Sequence, residues 1–484
     1  MNVLFVASEC APFVKTGGLA DVIGAVPKAL KAQDIQSRVM MPLYPTVREI
    51  AQAAKPVRDW PDLMGGPARL LSVSAEGIDL LLLDAPHLFE REGNIYLGPD
   101  GQDWPDNPMR FAGLSRAAAD IAVDGAEGWR PHVVHVHDWQ AGLVPAYLHQ
   151  MPQATPPCVL TIHNIAFQGL CAPELMSTLG LEPSLYSSEG LEFWGHIGFL
   201  KAGIAYAEKI TTVSPTYARE ILEPAFGMGL EGVLAARQAD VSGILNGIDL
   251  DVWDPEADTD LAAHYSVHKL KHKGTNRDAV LTRFGLDPEP EGPLCCVISR
   301  LTTQKGVDVL LDAIPALVER GARLAVLGSG DRDLEARFVA AAHAYPGKVG
   351  VVIGYDEALS HLMQGGSDAI LIPSRFEPCG LTQLYGLRYG TLPLVARTGG
   401  LADTVINANE AAVTAGCATG FQFAPVTPTA LTQAIHRTCD LFAQPKVWAA
   451  MMRRAMRHPV GWETSCMAYQ AVYSDLTRRS ADQA

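Results

Sequence analysis

The chain has 484 residues, above the roughly 250–300 at which a single hydrophobic core stops growing, so two domains are expected. A formal net charge of -15 excludes nonspecific attachment to nucleic acid or to an anionic membrane, both of which need a basic face, and leaves any anionic ligand to a local cluster of cations. Nine cysteines without a Cys-x-x-Cys pair fit reduced thiols better than a disulfide framework or a structural zinc, and no apolar run reaches about 18 residues, so a cytoplasmic protein is expected.

Short runs of branched apolar residues alternate along the chain with longer amphipathic segments, the pattern of a parallel sheet covered by helices on both faces. The first run, Val3 to Ala7, leads to the glycine loop Lys15-Thr16-Gly17-Gly18-Leu19-Ala20-Asp21 at a helix start. Amides at a helix N-terminus can face an anion, and Lys15 beside them suits a phosphate-bearing ligand. Further strands are expected at Val133 to Val136, Val159 to Ile162 and Lys209 to Val213, followed by His137, Asp138, Trp139 and Gln140, by His163 and Asn164, and by Ser214. The stretch Asn246 to Arg277 has turn residues, a charged middle and little periodicity. It reads as a passage between domains, with a hinge near Ser242 to Asp254 and with Asp258-Thr259-Asp260 as a solvated turn rather than a metal site.

Strands of the second half are expected at Leu294 to Ile298, Arg323 to Leu327, Val349 to Ile353, Ala369 to Ile372 and Leu392 to Ala396. Arg300 and Lys305 follow the first of these, before Gly306 and a helical run from Val307 to Leu317; Tyr355 follows the third. After the fourth comes Glu377-Pro378-Cys379-Gly380-Leu381-Thr382, a carboxylate followed by helix-start amides. After the fifth, Thr398 to Asp403 repeats Thr16 to Asp21 unchanged, which says that the chain has two similar halves. From about His458 a last amphipathic pattern carries Trp462, Tyr469 and Tyr473, either as ordinary core or as a tail docked back on the first domain.

Ligands of open α/β sheets bind outside the carboxyl ends of the strands, where these polar residues gather. Arg300, Lys305 and helix amides can neutralise a diphosphate. Glu377 can hold vicinal sugar hydroxyls or sit near a developing positive anomeric carbon. Cys379 has no base adjacent in sequence, so a thiol nucleophile is the weaker reading.

Lys15-Thr-Gly-Gly-Leu19, His135-Val-His-Asp-Trp139, Thr161-Ile-His-Asn164, Asn246-Gly-Ile-Asp249, Ser299-Arg-Leu-Thr302 with Gln304-Lys-Gly306, and Glu377-Pro-Cys-Gly-Leu-Thr-Gln-Leu384 together resemble the bacterial glycogen synthases. The resemblance runs through both halves and includes Thr398-Gly-Gly-Leu401. It implies an α/β protein of the GT-B class: two Rossmann-like, doubly wound parallel-sheet domains facing a deep cleft, with a C-terminal helix returning to the first. The corresponding boundaries are 1–242 for the acceptor side, 243–456 for the nucleotide-sugar side and 457–484 for the returning helix.

The implied reaction moves glucose from ADP-glucose to the nonreducing 4-hydroxyl of an α-1,4-glucan such as glycogen, with retention and without cofactor or metal. By the same resemblance Arg300 and Lys305 bind the diphosphate, joined by Lys15 and the loop Thr16, Gly17, Gly18 and Asp21, and Tyr355 stacks near the adenine. Glu377 and the segment Cys379, Gly380, Leu381 and Thr382 hold the glucose with His163, Asn164 and Asn246. Asp138 lies near sugar hydroxyls, and Tyr96 is an aromatic contact for glucosyl or acceptor rings. Retention by a Glu377 nucleophile and by front-face attack both stay open, as do UDP-glucose as donor, a glucan phosphorylase, an epimerase, a noncatalytic glycan binder and a homo-oligomer.

Overall fold

The computed structural model describes residues 1–288 and 291–483; residue 484, the end of the expected returning helix, lies outside the described residues. The chain forms two compact units, residues 1–246 together with the segment from Trp462, and residues 247–461.

In the first unit the strands are β1 (Asn2–Val6), β2 (Gln36–Pro42), β3 (Lys55–Trp60), β4 (Ala68–Ala75), β5 (Ile78–Asp84), β6 (Val133–His137), β7 (Cys158–Ile162), a small ribbon of β8 (Leu170–Cys171), β9 (Glu192–Phe193) and β10 (His196–Gly198), then β11 (Lys209–Thr212) and β12 (Val241–Gly243). The main sheet has nine strands in the order β12-β11-β7-β6-β1-β2-β5-β4-β3. Pairing is parallel from β12 through β5 and antiparallel for β4 and β3. The connection reverses direction between β1 and β6, so residues just after these two strands flank the crevice where such a sheet takes its ligand. β6 and β7 are buried along their whole length, as strands covered on both faces must be.

The last helix, Glu463–Gln483, docks on this unit. Tyr469 and Tyr473 are both 0% exposed, and the Tyr473 hydroxyl lies 2.7 Å from His135 Nδ1 on β6. Of the two readings left open for the tail aromatics, docking is the one observed.

The second unit contains β13 (Leu294–Ile298), β14 (Arg323–Gly328), β15 (Val349–Ile353), β16 (Ala369–Ile372), β17 (Leu392–Ala396) and β18 (Phe421–Phe423). They pair in parallel in the order β15-β14-β13-β16-β17-β18, the doubly wound order of dinucleotide-binding sheets, with the switch between β13 and β16. Alternate residues of the central strands enter opposite cores. Cys295 and Val297 of β13 pack in one apolar cluster, Leu294 and Cys296 in the other.

The stretch after Asn246, read from its charge as a passage between domains with a solvated turn at Asp258 to Asp260, is packed within the second unit, inside the 243–456 boundaries that the resemblance implied. Trp253 is stacked against His361 at 3.8 Å and Tyr385 at 3.6 Å between ring centroids. Asp258 is only 7% exposed, because His361 Nδ1, at 2.7 Å, and the Tyr389 hydroxyl both meet its carboxylate. Lys273 is buried too, and its ammonium donates to the Gly365 carbonyl at 2.9 Å and the Thr391 hydroxyl at 2.7 Å. Charge in this stretch was misleading because each buried charge found partners that are distant in sequence.

Candidate active site

Two turns meet at the switch point of the second sheet. The turn after β13 carries Arg300 and Lys305 and ends at Gly306, whose φ of +64° sits in the left-handed region. Only glycine fits there, since a Cβ would stand 1.9 Å from the Pro373 carbonyl oxygen of the turn after β16. Arg375 fastens the same two turns, pairing with both Asp308 carboxylate oxygens at 2.7 Å and donating to the Thr303 carbonyl at 2.6 Å. With the backbones so close, Lys305 Nζ comes to 2.6 Å from Glu377 Oε2, and the Ser374 hydroxyl donates to the same oxygen at 2.9 Å. Arg300 is exposed, and among the described residues no hydrogen bond or ion pair engages its guanidinium. A concavity lined by Ser299, Lys305, Ser374, Glu377, Gly380 and Thr382 opens at this point.

Glu377 is held from behind by the second copy of the repeated hexapeptide. The Gly400 amide donates to the carbonyls of Glu377 at 3.2 Å and Pro378 at 3.1 Å, and a Cβ on Gly399 would stand 1.9 Å from the Glu377 carbonyl oxygen. These glycines therefore serve backbone packing, and the Gly400 amide is taken by protein carbonyls rather than turned to an anion. Beyond Glu377, the Gln383 side chain donates to the Cys379 and Gly380 carbonyls at 2.9 and 2.8 Å, and Leu381 leads to Thr382, the first residue of the helix Thr382–Tyr389. Cys379 is 4% exposed. Tyr355 stands apart from this group: it follows β15, the edge strand two positions from β13, is 77% exposed and donates its hydroxyl to Glu357 at 2.8 Å.

In the first unit the equivalent strand ends are those of β1, β6 and β7. Glu9, two residues beyond Ala7, is 3% exposed and accepts from the Thr16 amide at 2.6 Å, the Gly17 amide at 3.2 Å, the Thr16 hydroxyl at 2.9 Å and the Tyr96 hydroxyl at 2.9 Å. Two amides of the glycine loop expected to face an external anion are thus already satisfied by a carboxylate of the protein. Glu9 escaped the sequence reading, although a lone acid inside the apolar segment Phe5 to Val14, seven residues before the loop, was a usable signal. Lys15 Nζ rests 2.9 Å from Asp21 Oδ1, and the loop residue Gly18 opens the helix Gly18–Leu30. Tyr96 shares its hydroxyl between Glu9 and Ser8, the latter at 2.7 Å, so its polar end supports the loop; burial pushes its pKa well up.

Asp138 begins the turn after β6 with φ +55°, a conformation few non-glycine residues adopt. Its Oδ1 accepts from the amides of His163 at 2.7 Å and Asn164 at 3.4 Å, tying the ends of β6 and β7 together, and burial pushes its carboxyl up to about 7. The Asn164 side chain caps its own turn, accepting from Ala166 N at 3.1 Å. His163 Nε2 lies 2.9 Å from Nδ1 of His137. Burial lowers His163 to about 3 and His137 well below its usual value, so both rings are neutral at pH 7. Asn246 is 9% exposed, and its buried Oδ1 has no hydrogen-bond partner among the described residues.

Among the described residues Asp258, Asp260 and His361 bring potential metal ligands within 4.8 Å of one another. The Asp258 oxygen nearest His361 is already occupied by His361 and Tyr389, which fits a structural anchor.

Residues 2–236 match the family described as starch synthase catalytic domain, and residues 281–448 match glycosyl transferases group 1. The chain is 72% identical over 476 residues to a glycogen synthase of Roseobacter denitrificans, covering 98% of this chain and 99% of that one. It is 57% identical to a glycogen synthase of Paracoccus denitrificans, with the same coverage of 98% and 99%. Among solved structures it is similar to the catalytic domain of starch synthase IV from Arabidopsis thaliana bound to ADP and acarbose, with a TM-score of 0.87, 28% identity and coverage of 98% and 99%.

Proposed function

This chain belongs to the bacterial glycogen synthase family, and on that premise we propose how its residues carry the reaction. Its two parallel-sheet α/β units are those of a GT-B glycosyltransferase, and its activity is glucosyl transfer in glycogen synthesis, from a nucleotide sugar to a glucan. ADP-glucose is the donor that the family implies, and the nonreducing 4-hydroxyl of an α-1,4-glucan is the acceptor, with retention at the anomeric carbon.

The observation that carries the residue assignment is the Lys305–Glu377 pair at 2.6 Å, placed where β13 and β16 diverge. Arg300 and Lys305 take the diphosphate. As the bond from C1 to the phosphate oxygen breaks, the leaving group gains negative charge, so these cations contribute more in the transition state than in the ground state. Lys15 is the first unit's cation for a phosphate-bearing ligand, with Asp21 as its resting partner. Glu377 accepts from glucose hydroxyls, while Gly380 and Leu381 offer amides at a helix start and Cys379 and Thr382 shape that turn. Asp138, His163, Asn164 and Asn246 form the sugar-facing group of the first unit, and Thr16, Gly17, Gly18 and Tyr96 shape the loop that carries Lys15. Tyr355 offers a ring to the base.

Glu377 Oε2 already takes a lysine and a serine donor, which lowers its nucleophilicity. That supports front-face attack, with the leaving diphosphate oxygen taking the acceptor's proton, over a covalent glucosyl-Glu377 intermediate. Nine cysteines without a disulfide support a cytoplasmic setting.

The test is nucleoside diphosphate release from ADP-glucose and from UDP-glucose, each with and without glycogen. Glycogen-dependent ADP release supports the reading. Preference for UDP-glucose overturns the donor assignment, and release that ignores glycogen overturns the acceptor.

A further inference from the structure

His137 and His163 come from adjacent strand ends, β6 and the turn after β7, and their facing nitrogens, Nδ1 and Nε2, are 2.9 Å apart. Both rings are neutral, so one of these nitrogens carries the proton and the other accepts it. The rest of His137 decides which. Its ring is 0% exposed, packed beside Phe5 at 5.7 Å and His135 at 4.2 Å between centroids, and its Nε2 is buried with no hydrogen-bond partner among the described residues. If Nδ1 were the acceptor, Nε2 would carry a buried, orphaned N–H, the costlier kind of unsatisfied group. If Nδ1 is the donor, Nε2 is only an unused lone pair. His135 cannot relieve it, since its own two nitrogens are taken by Tyr473 at 2.7 Å and Thr161 at 2.6 Å.

We infer that His137 is a positioning residue that donates from Nδ1 to His163 Nε2 and thereby locks His163 as its Nδ1–H tautomer. The lock makes His163 an N–H donor on its open side. His163 is half-buried, and its Nδ1 has no partner among the described residues, so that N–H is the group left to meet a ligand. A sugar hydroxyl receiving a hydrogen bond from His163 keeps its own proton to give to a carboxylate or amide oxygen. The inference rests on the reading of His163 as a glucose contact, and it adds the direction of that hydrogen bond and the residue that sets it.

The experiment is ¹⁵N–¹H long-range correlation NMR on full-length protein labelled at histidine, with His163 assigned by its disappearance in His163→Gln. The expected result is the Nδ1–H tautomer, the minor form of free imidazole side chains, persisting from pH 6 to 8. His137→Asn keeps a donor near the Nδ1 position and should retain that tautomer. His137→Leu fills similar space without a donor and should release it, with kcat falling about fivefold, the worth of one neutral hydrogen bond, and KM for donor changing less than kcat. An Nε2–H tautomer in the unsubstituted protein overturns the inference, as does an unchanged tautomer in a folded His137→Leu. Because the tautomer is read without substrate, failure here is distinct from failure of the glucosyltransferase reading, which would appear as absent ADP release.

Discussion

Asp138→Asn should stabilise the first unit increasingly as pH rises. The carboxyl is 8% exposed, and burial raises its pKa from 3.8 to about 7. A raised acid pKa means that the folded chain holds the proton more tightly than the unfolded chain does. The fold therefore suffers no penalty below about pH 4, a growing one as pH climbs through the interval, and the full one above about pH 7. Three pKa units at about 1.36 kcal/mol each amount to roughly 4 kcal/mol at pH 8, against about 1.5 kcal/mol at pH 5. Asparagine keeps an Oδ1 for the His163 amide, now at 2.7 Å, so the tie between β6 and β7 survives the substitution. A chain of two compact units need not unfold in one step, so the assay is hydrogen exchange of β6 and β7 amides, which reads the first unit directly. The variant's advantage should widen by about 2–3 kcal/mol between pH 5 and pH 8. A difference that does not change with pH would refute the reasoning, because it would mean that Asp138 titrates alike in the folded and unfolded chain.

Lys305→Ala should lower turnover by about 10²–10³-fold in an ADP-release assay, and the stranded Glu377 should cost about 2 kcal/mol in denaturant unfolding. Adding Glu377→Gln should restore much of that stability but no activity. The identical hexapeptides give a paired test by thermal melting. Gly399→Ala forces a Cβ against the Glu377 carbonyl at 1.9 Å from a φ of +43° and should lower Tm by several degrees, whereas Gly17→Ala, with extended backbone at φ -158° and no atom within 4 Å of the added carbon, should melt near the parent. Glu9→Ala strips an acceptor from the Thr16 and Gly17 amides and the Tyr96 hydroxyl and should cost about 2 kcal/mol by chemical denaturation; a neutral result would mean that water replaces it without penalty.

Most of the strands legible in the sequence were short runs rich in branched apolar residues between polar turns, and β6, β7 and β17 are buried throughout. β2 opens with Gln36, Ser37 and Arg38, β5 is mostly leucine, β3 and β4 form a charged antiparallel meander, and β18 spans three residues. None of these carries a strand period strong enough to stand out. The candidate site divides in the same way. Arg300, Lys305 and Glu377 were visible because polar groups cluster after apolar strands. The support beneath them was not, since it depends on contacts between distant segments: Gly399 under Glu377, Glu9 within the Thr16 loop, Arg375 on Asp308. Thr16 to Asp21 and Thr398 to Asp403 share every residue yet differ in surroundings. One loop is held by a buried glutamate, and the other is pressed against a backbone carbonyl.

The measurement that bears most directly on the account is titration calorimetry of ADP with the unsubstituted protein, Arg300→Ala, Lys305→Ala and Lys348→Ala. Lys348 carries the same charge but pairs with Asp287 at 2.6 Å, outside the turns after β13 and β16. Removing one charge-assisted hydrogen bond to the diphosphate should weaken ADP binding by about tenfold or more in the first two variants, while Lys348→Ala binds like the parent. Equal affinity across all four proteins would contradict the placement of the nucleotide diphosphate at the ends of β13 and β16.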